Sequence, residues 1–207
     1  MTSPGFQERK GTPFRAGVPR PQVTRAADGL PRRAFTNADI ARMIEIGVID
    51  PDEHFELIKG DIVPMAAELD RHWRARRALD RIFQRALGDE WFVGTEGSLL
   101  LADNVEFRPD LCIFPASLKT EDVRGPDVLL AVELSSTTQK RDLMIKAPIY
   151  AEHGVQELWV IDLDAKTGIL FDRIQEGVYL PGRAVAAEDS LAPKAFPIIS
   201  LRISDLY

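Results

Sequence analysis

Between Trp91 and Arg173 the chain lays out short apolar runs interrupted by a single helix-period segment. The runs are Trp91–Val93, Ser98–Leu101, Asp110–Phe114, Val128–Leu134, Glu157–Ile161 and Ile169–Arg173. Each has the length of a strand, and together they call for a sheet. The longest apolar stretch, Val128 to Val132, reads as a strand core. Lys140 to Glu152 reads as a helix with Gly154 past its end, and Pro148 inside it removes a backbone donor, so a kink is expected there. Upstream, Thr36 or Asn37 can cap a helix from Ala38 to Ile46 that Gly47 ends. Phe55 to Met65 reads as a hairpin turning at Gly60-Asp61. A long helix is expected from Glu68 to Leu87, with Leu79, Ile82, Phe83 and Ala86 as its apolar stripe. Downstream, Val178–Leu180 and an edge strand at Phe196–Leu201 are expected, with a closing turn at Ile203–Tyr207. The order helix, hairpin, helix, strands, helix, strand implies an α/β fold with a mixed sheet flanked by helices.

Charge divides the chain. Residues 1–33 hold seven Lys/Arg against two acids, and the rest carries 19 bases against 30 acids. The first segment also holds Pro4, Pro13, Pro19, Pro21 and Pro31 and has no apolar period, so it is expected to be a disordered basic leader before one domain, 34–207. Its arginines are those of an organelle transit peptide, but its prolines weigh against that reading. A basic tail could touch phosphate, although a solvated leader is the commoner case. The overall charge of −6 argues against a generic nucleic-acid coat. One cysteine, Cys112, excludes an internal disulfide framework and a cysteine-rich zinc site. No apolar stretch approaches the roughly 18 residues that span a bilayer, and no secretory signal is evident. A cytoplasmic protein without membrane partners is expected.

Three charges sit where charges are costly. On the helical wheel Lys146 falls between Leu143, Ile149 and Tyr150, on the face that should point inward. Asp110 opens one apolar strand, and Glu133 breaks another, sharing a face with Leu129 and Ala131 by alternation. Buried charges need partners. A divalent cation would offset two inward carboxylates, and Mg²⁺ is usually held by one or two carboxylates plus waters and phosphate oxygens. Such a cation would polarise a phosphate and lower the pKa of a bound water, with Lys146 orienting the attack or stabilising charge. An internal salt bridge of Lys146 with Glu133 or Asp142, without catalysis, fits the residues equally well.

The chain resembles a known family in an ordered set of motifs. They are Phe55-Glu56-Leu57-Ile58-Lys59-Gly60-Asp61-Ile62-Val63, then Arg108-Pro109-Asp110, then Val132-Glu133-Leu134-Ser135-Ser136-Thr137-Thr138, then Arg141-Asp142-Leu143 to Lys146, and Tyr150-Ala151-Glu152-His153-Gly154-Val155-Gln156-Glu157-Leu158-Trp159-Val160-Ile161-Asp162. Over roughly residues 35–180 they are similar to the Uma family of putative restriction endonucleases, in the PD-(D/E)XK nuclease superfamily. The resemblance implies a restriction-endonuclease-like fold and Mg²⁺-dependent hydrolysis of DNA, with Mn²⁺ as a substitute metal. It makes Asp110 and Glu133 the metal ligands and Glu56 an accessory ligand or water orienter. The superfamily lysine, two residues after the glutamate, is replaced here by Ser135, so Lys146 on the following helix takes that role. A homodimer is expected by analogy with enzymes that cut both strands.

Other residues have ordinary readings. His72 matches a family histidine but shares a helix side with Leu79 and Phe83, and so reads as a hydrogen-bonded core residue. Arg74, Arg77, Arg81 and Arg85 form a stripe that could track phosphates, although a solvated face is favoured. Ser135 to Thr138 lack a nucleophile elbow and read as strand-end or capping hydroxyls. Trp159 reads as core and Asp162 as a turn residue. The main rival is a non-catalytic nucleic-acid-binding or scaffold protein that keeps the fold. A hydrolase of small phosphoesters is second. A glycosidase-type carboxylate pair would leave Lys146 without a role.

Overall fold

The computed structural model describes residues 23–25, 31–65, 69–135 and 139–207. The rest of the expected leader, residues 66–68, which include the expected helix start at Glu68, and Ser136–Thr138 lie outside the described residues. Within that leader, β1 (Val23–Arg25) and β2 (Pro31–Arg33) pair as a short antiparallel ribbon. Arg32 then reaches Asp61 at 3.0 Å and Arg33 reaches Asp39 at 2.9 Å.

Helix α1 (Asn37–Glu45) starts at Thr36 because Thr36 and Asp39 exchange a full capping box. It ends at Glu45, with Ile46 as its C-cap before Gly47, whose φ of +73° suits a residue without Cβ. The expected hairpin is β3 (Phe55–Ile58) and β4 (Asp61–Pro64). Its turn lies one residue earlier than expected, at Lys59-Gly60, with φ of 49° and 89°. Two positive φ values define the tight turn that matches strand twist, and a Cβ at Gly60 would run into Ala34. Strands β6 (Leu99–Ala102) and β7 (Val105–Phe107) complete an antiparallel four-stranded sheet of order β4-β3-β7-β6. Strand β7, three residues long, is absent from the sequence reading.

The second sheet has six strands in the order β14-β11-β10-β9-β8-β5. These are β5 (Trp91–Gly94), β8 (Leu111–Pro115), β9 (Leu130–Ser135), β10 (Leu158–Asp162), β11 (Thr167–Phe171) and β14 (Arg183–Ala186). Only β9 and β10 run parallel, so the sheet is mixed as expected. A parallel pair needs a long crossover, and the lysine helix supplies it. The ribbon β12 (Ile174–Gln175) with β13 (Val178–Tyr179) follows β11. No strand forms at Phe196–Leu201, where a single bridge joins Leu191 to Leu201 and a 3₁₀ turn, Ile203–Leu206, follows. Prolines 193 and 197 break up that stretch.

Helix α2 (Asp70–Ala86) buries Ala75, Arg76, Leu79 and Phe83. Ala86, expected in the stripe, is exposed, because the inward arc is centred instead on Leu79 and Phe83. This helix and the C-terminal segment cover one side of the six-stranded sheet through Leu111, Ile113, Leu130, Val132, Leu134, Trp159 and Ile161. The other side presents Cys112, Phe114, Ala131, Leu158 and Val160 to the lysine helix and to Leu99, Val105 and Phe107. Leu129 was expected on the face of Glu133; it precedes the strand and packs with the α2 side instead. Phe55 and Leu57 meet Ile40 and Ile49 on the far side of the smaller sheet. Among the described residues no helix is long and apolar enough to cross a membrane.

Candidate active site

The lysine helix is built in three pieces: α3 (Gln139–Arg141), a π turn (Asp142–Lys146) and α4 (Ala147–Glu152). In the π turn Ala147 N–H donates to Asp142 O, five residues back. Pro148 follows immediately. It has no N–H for the carbonyl four residues before it, and its ring crowds that carbonyl, so the expected kink takes the form of a widened turn. The result turns Asp142 and Lys146 inward while Met144 and Ile145 stay exposed.

Lys146 is 3% exposed and meets two acids from two sheets. Its Nζ lies 2.7 Å from Glu56 Oε1 on β3 and donates to both Glu133 oxygens on β9 at 3.1 Å. Asp142 Oδ1 lies 3.9 Å away, and the Phe107 ring lies 5.5 Å below the ammonium. Tyr150 O–H, one turn further along the helix and fully buried, donates to Glu133 Oε1 at 2.7 Å. The backbone N–H of Arg108 donates to Glu56 Oε1 at 3.2 Å. Glu56 Oε2 is buried and meets no hydrogen-bond partner among the described residues.

Asp110 stands beside this group and is held differently. The pairing of Leu111 with Val132 brings it level with Glu133 across the β8–β9 ladder. Its Oδ2 accepts the Leu134 N–H at 2.7 Å. Its Oδ1 lies 3.5 Å from His72 Nε2 and 3.7 Å from Arg76 Nη1. Arg76 also pairs with Glu96. His72 Nε2 lies 2.7 Å from Leu134 O, and since a carbonyl only accepts, that nitrogen carries the proton. Asp110 and His72 therefore grip the backbone of Leu134, the residue after Glu133, at its N–H and its carbonyl. This is the hydrogen-bonded role expected for His72.

The electrostatics follow from one cation among several acids. Burial, joined by the charges of Glu56, Asp142 and Asp110, pushes the Glu133 carboxyl up to about 8 against the pull of Lys146. Burial works against the Lys146 charge too, but Glu133, Glu56 and Asp142 outweigh it and hold the ammonium above the ordinary lysine range. Burial raises the Tyr150 hydroxyl as well, with Glu133 adding to it, so it stays a donor.

The structure brings Glu56, Glu133 and Lys146 into direct contact and sets Asp110 next to them on separate partners. Among the described residues no three His, Cys, Asp or Glu side chains form a metal-holding group. Mg²⁺ asks less, since one or two carboxylates suffice when waters and phosphate complete the shell. An all-oxygen donor set, a surplus of acids over Lys146 and the unpartnered Glu56 Oε2 all fit a hard divalent cation.

Three contributors escaped the sequence reading: Tyr150, Arg76 and the Arg108 backbone. Tyr150 is four residues after Lys146, and asking what its buried hydroxyl bonds would have led to Glu133. Arg76 lies between His72 and Leu79 on the inner face of α2, where an arginine signals a buried acid. Ser135 donates to Ile161 O at 3.3 Å at the strand end. Trp159 is core, and Asp162 closes a turn through the N–H groups of Asp164 and Ala165.

No curated protein matches the chain. In three dimensions it is similar to a solved structure described as a putative nuclease belonging to DUF820 from Anabaena variabilis. That likeness has a TM-score of 0.66 at 17% identity and covers 83% of this chain and 97% of the other. It establishes a shared fold. The family model described as "Uma2: Putative restriction endonuclease" matches residues 39–204. That span takes in both larger sheets and every member of the acid–lysine group, and the chain belongs to the Uma2 family.

Proposed function

We propose that the protein is a Mg²⁺-dependent endonuclease that hydrolyses DNA phosphodiester bonds. The observation that carries the reading is the convergence of Glu56, Glu133 and Lys146 from two sheets and a helix into one buried contact group. Glu133 and Asp110 would hold the metal, with Glu56 as a further oxygen donor. Bound there, Mg²⁺ or Mn²⁺ would supply Lewis-acid polarisation of the phosphate and acidify a water. Lys146 carries a positive charge that is withdrawn from water, and it would stabilise charge developing on the phosphate. Tyr150 and Lys146 together hold Glu133 Oε1, while Oε2 is held by Lys146 alone. Asp110 and His72 fix the Leu134 backbone at its N–H and its carbonyl, and thereby the height of Glu133 along β9. Action on both strands of a duplex would use two copies of the chain.

The test is cleavage of supercoiled plasmid by purified protein in Mg²⁺ or Mn²⁺. Activity is expected in the wild type and is lost in Asp110→Ala, Glu133→Ala and Lys146→Ala. Cleavage that persists in all three variants overturns the assignment. The second reading, a non-catalytic nucleic-acid-binding or scaffold protein, draws support from Lys146 bridging both acids by itself. Calorimetric Mn²⁺ binding that disappears in Asp110→Ala favours the enzyme, and absence of Mn²⁺ binding in the wild type favours the scaffold.

A further inference from the structure

We propose that Glu96 is a positioning residue of the metal site, which engages the guanidinium of Arg76 and so keeps Asp110 available to a cation, a reading that rests on the endonuclease proposal. Glu96 lies between β5 and β6, on the segment that carries the chain from the six-stranded sheet to the smaller one. Its φ is +53°, in the left-handed region that a residue with a Cβ rarely adopts. Its N–H donates to the Pro109 carbonyl at 3.1 Å, which ties the segment to the residue before Asp110. Backbone strain of this kind collects where a side chain has to be aimed. Glu96 is aimed at Arg76, and the two form a close ion pair.

Arg76 is 8% exposed and stands between two carboxylates. Its Nη1 contacts Glu96 Oε1, and the same nitrogen lies 3.7 Å from Asp110 Oδ1, too far for a hydrogen bond. His72 Nε2 also faces Asp110 Oδ1, at 3.5 Å, but spends its proton on Leu134 O. Asp110 Oδ2 already accepts the Leu134 N–H. Oδ1 is therefore the oxygen with more capacity left for a cation. A shift of about 1 Å would bring Arg76 into hydrogen-bond distance of it. Arginine and a carboxylate bond strongly, and a guanidinium seated on Asp110 would compete with a divalent cation for the same charge. Glu96 opposes that shift by offering the guanidinium a nearer acid. Its own side chain is half-exposed, so the neutralising charge stays partly hydrated and adds little cost of burial.

The test is calorimetric titration of the full chain, freed of metal with EDTA and dialysed, with Mn²⁺. Glu96→Gln is expected to weaken Mn²⁺ binding about tenfold, the scale for losing a group that orients a ligand. Glu96→Gly removes the carboxylate and suits the positive φ, and it is expected to bind as weakly, which separates the charge from the backbone. The double variant Glu96→Gln with Arg76→Met is expected to return to within about threefold of wild type, because the competing cation is gone. A Glu96 that only stabilises the fold predicts the opposite, since a second change at the ion pair adds damage. Wild-type affinity in Glu96→Gln or Glu96→Gly overturns the proposal, and so does a double variant that binds no tighter than Glu96→Gln. If the double variant fails to fold by circular dichroism, Arg76→Gln takes the place of Arg76→Met with the same expectation. A wild type that binds no Mn²⁺ sinks the metal assignment and this inference together. Equal binding by wild type and Glu96→Gln sinks the inference alone.

Discussion

Strand β9 has two faces put to opposite uses. Toward α2 it offers Leu130, Val132 and Leu134, and the contact there is mostly apolar, with His72 and Arg76 of α2 turned to Asp110 at its edge. Toward the lysine helix it offers Ala131 and Glu133, and a lysine, a tyrosine and a second acid gather on Glu133. One side is stabilised by area removed from water, which tolerates local error. The other depends on each charge finding its partner, since a buried charge left alone costs several kcal/mol, of the order of 3–5. Stability can thus be lost from either side, while the acid–lysine group resides on one.

The comparison can be broken by single substitutions. Glu133→Gln should have the largest effect, lowering cleavage by about a thousandfold, the upper end for loss of one preorganised electrostatic group. A plasmid assay that retains activity within tenfold would equate the two faces. On the opposite face, Leu79→Ala should cost about 2–5 kcal/mol of stability through a cavity, measured by urea unfolding. Its Mn²⁺ affinity should stay at the wild-type value, and a fall would mean that the faces are coupled.

Tyr150→Phe sharpens the picture by removing one oxygen and keeping the ring against Phe107, now 5.0 Å centre to centre. Calorimetric Mn²⁺ affinity should fall about tenfold, as for loss of an outer-shell hydrogen bond to a ligand. An unchanged affinity would reduce Tyr150 to packing.

The smallest effect concerns pH. The folded Glu133 carboxyl is raised from 4.5 to about 8, so between those values the folded protein holds a proton that the unfolded chain releases. Without metal, this group makes stability fall as pH rises from about 4.5 to about 8. A cation must displace the same proton. The thermal shift caused by Mg²⁺ should therefore be a few degrees larger at pH 8.5 than at pH 6.5, by scanning fluorimetry. Equal shifts at both values would show that Glu133 is not a ligand.

Much of this was legible in the chain. Element order, the mixed sheet and the inward Lys146 follow from apolar period and from charges placed against it. Turns were legible to within a residue, and the hairpin slipped by one because Lys59 adopts a positive φ usually left to glycine. Short strands were the blind spot. Strand β7 has three residues, too few for alternation to register, yet it carries Phe107 beneath the ammonium. The contact between Glu56 and Lys146 was invisible for another reason. It joins residues 90 positions apart on separate sheets, and no local period encodes that distance. Tyr150 and Arg76 were hidden by habit of reading, since one passes for a core aromatic and the other for a surface cation.

The π turn at Asp142–Lys146 acts as a phase shift in a rotating object. An α-helix advances about 100° per residue, so one extra residue in a turn rotates everything before it relative to everything after it. The later half is locked by Ala147, Ile149 and Tyr150 against the sheet. The earlier half begins at Gln139, four residues after β9 ends at Ser135. The inserted residue reconciles the two angles. Deleting Met144 alone, with no contact in the site removed, would rewind the segment into an even helix and force Asp142 or Lys146 to point elsewhere.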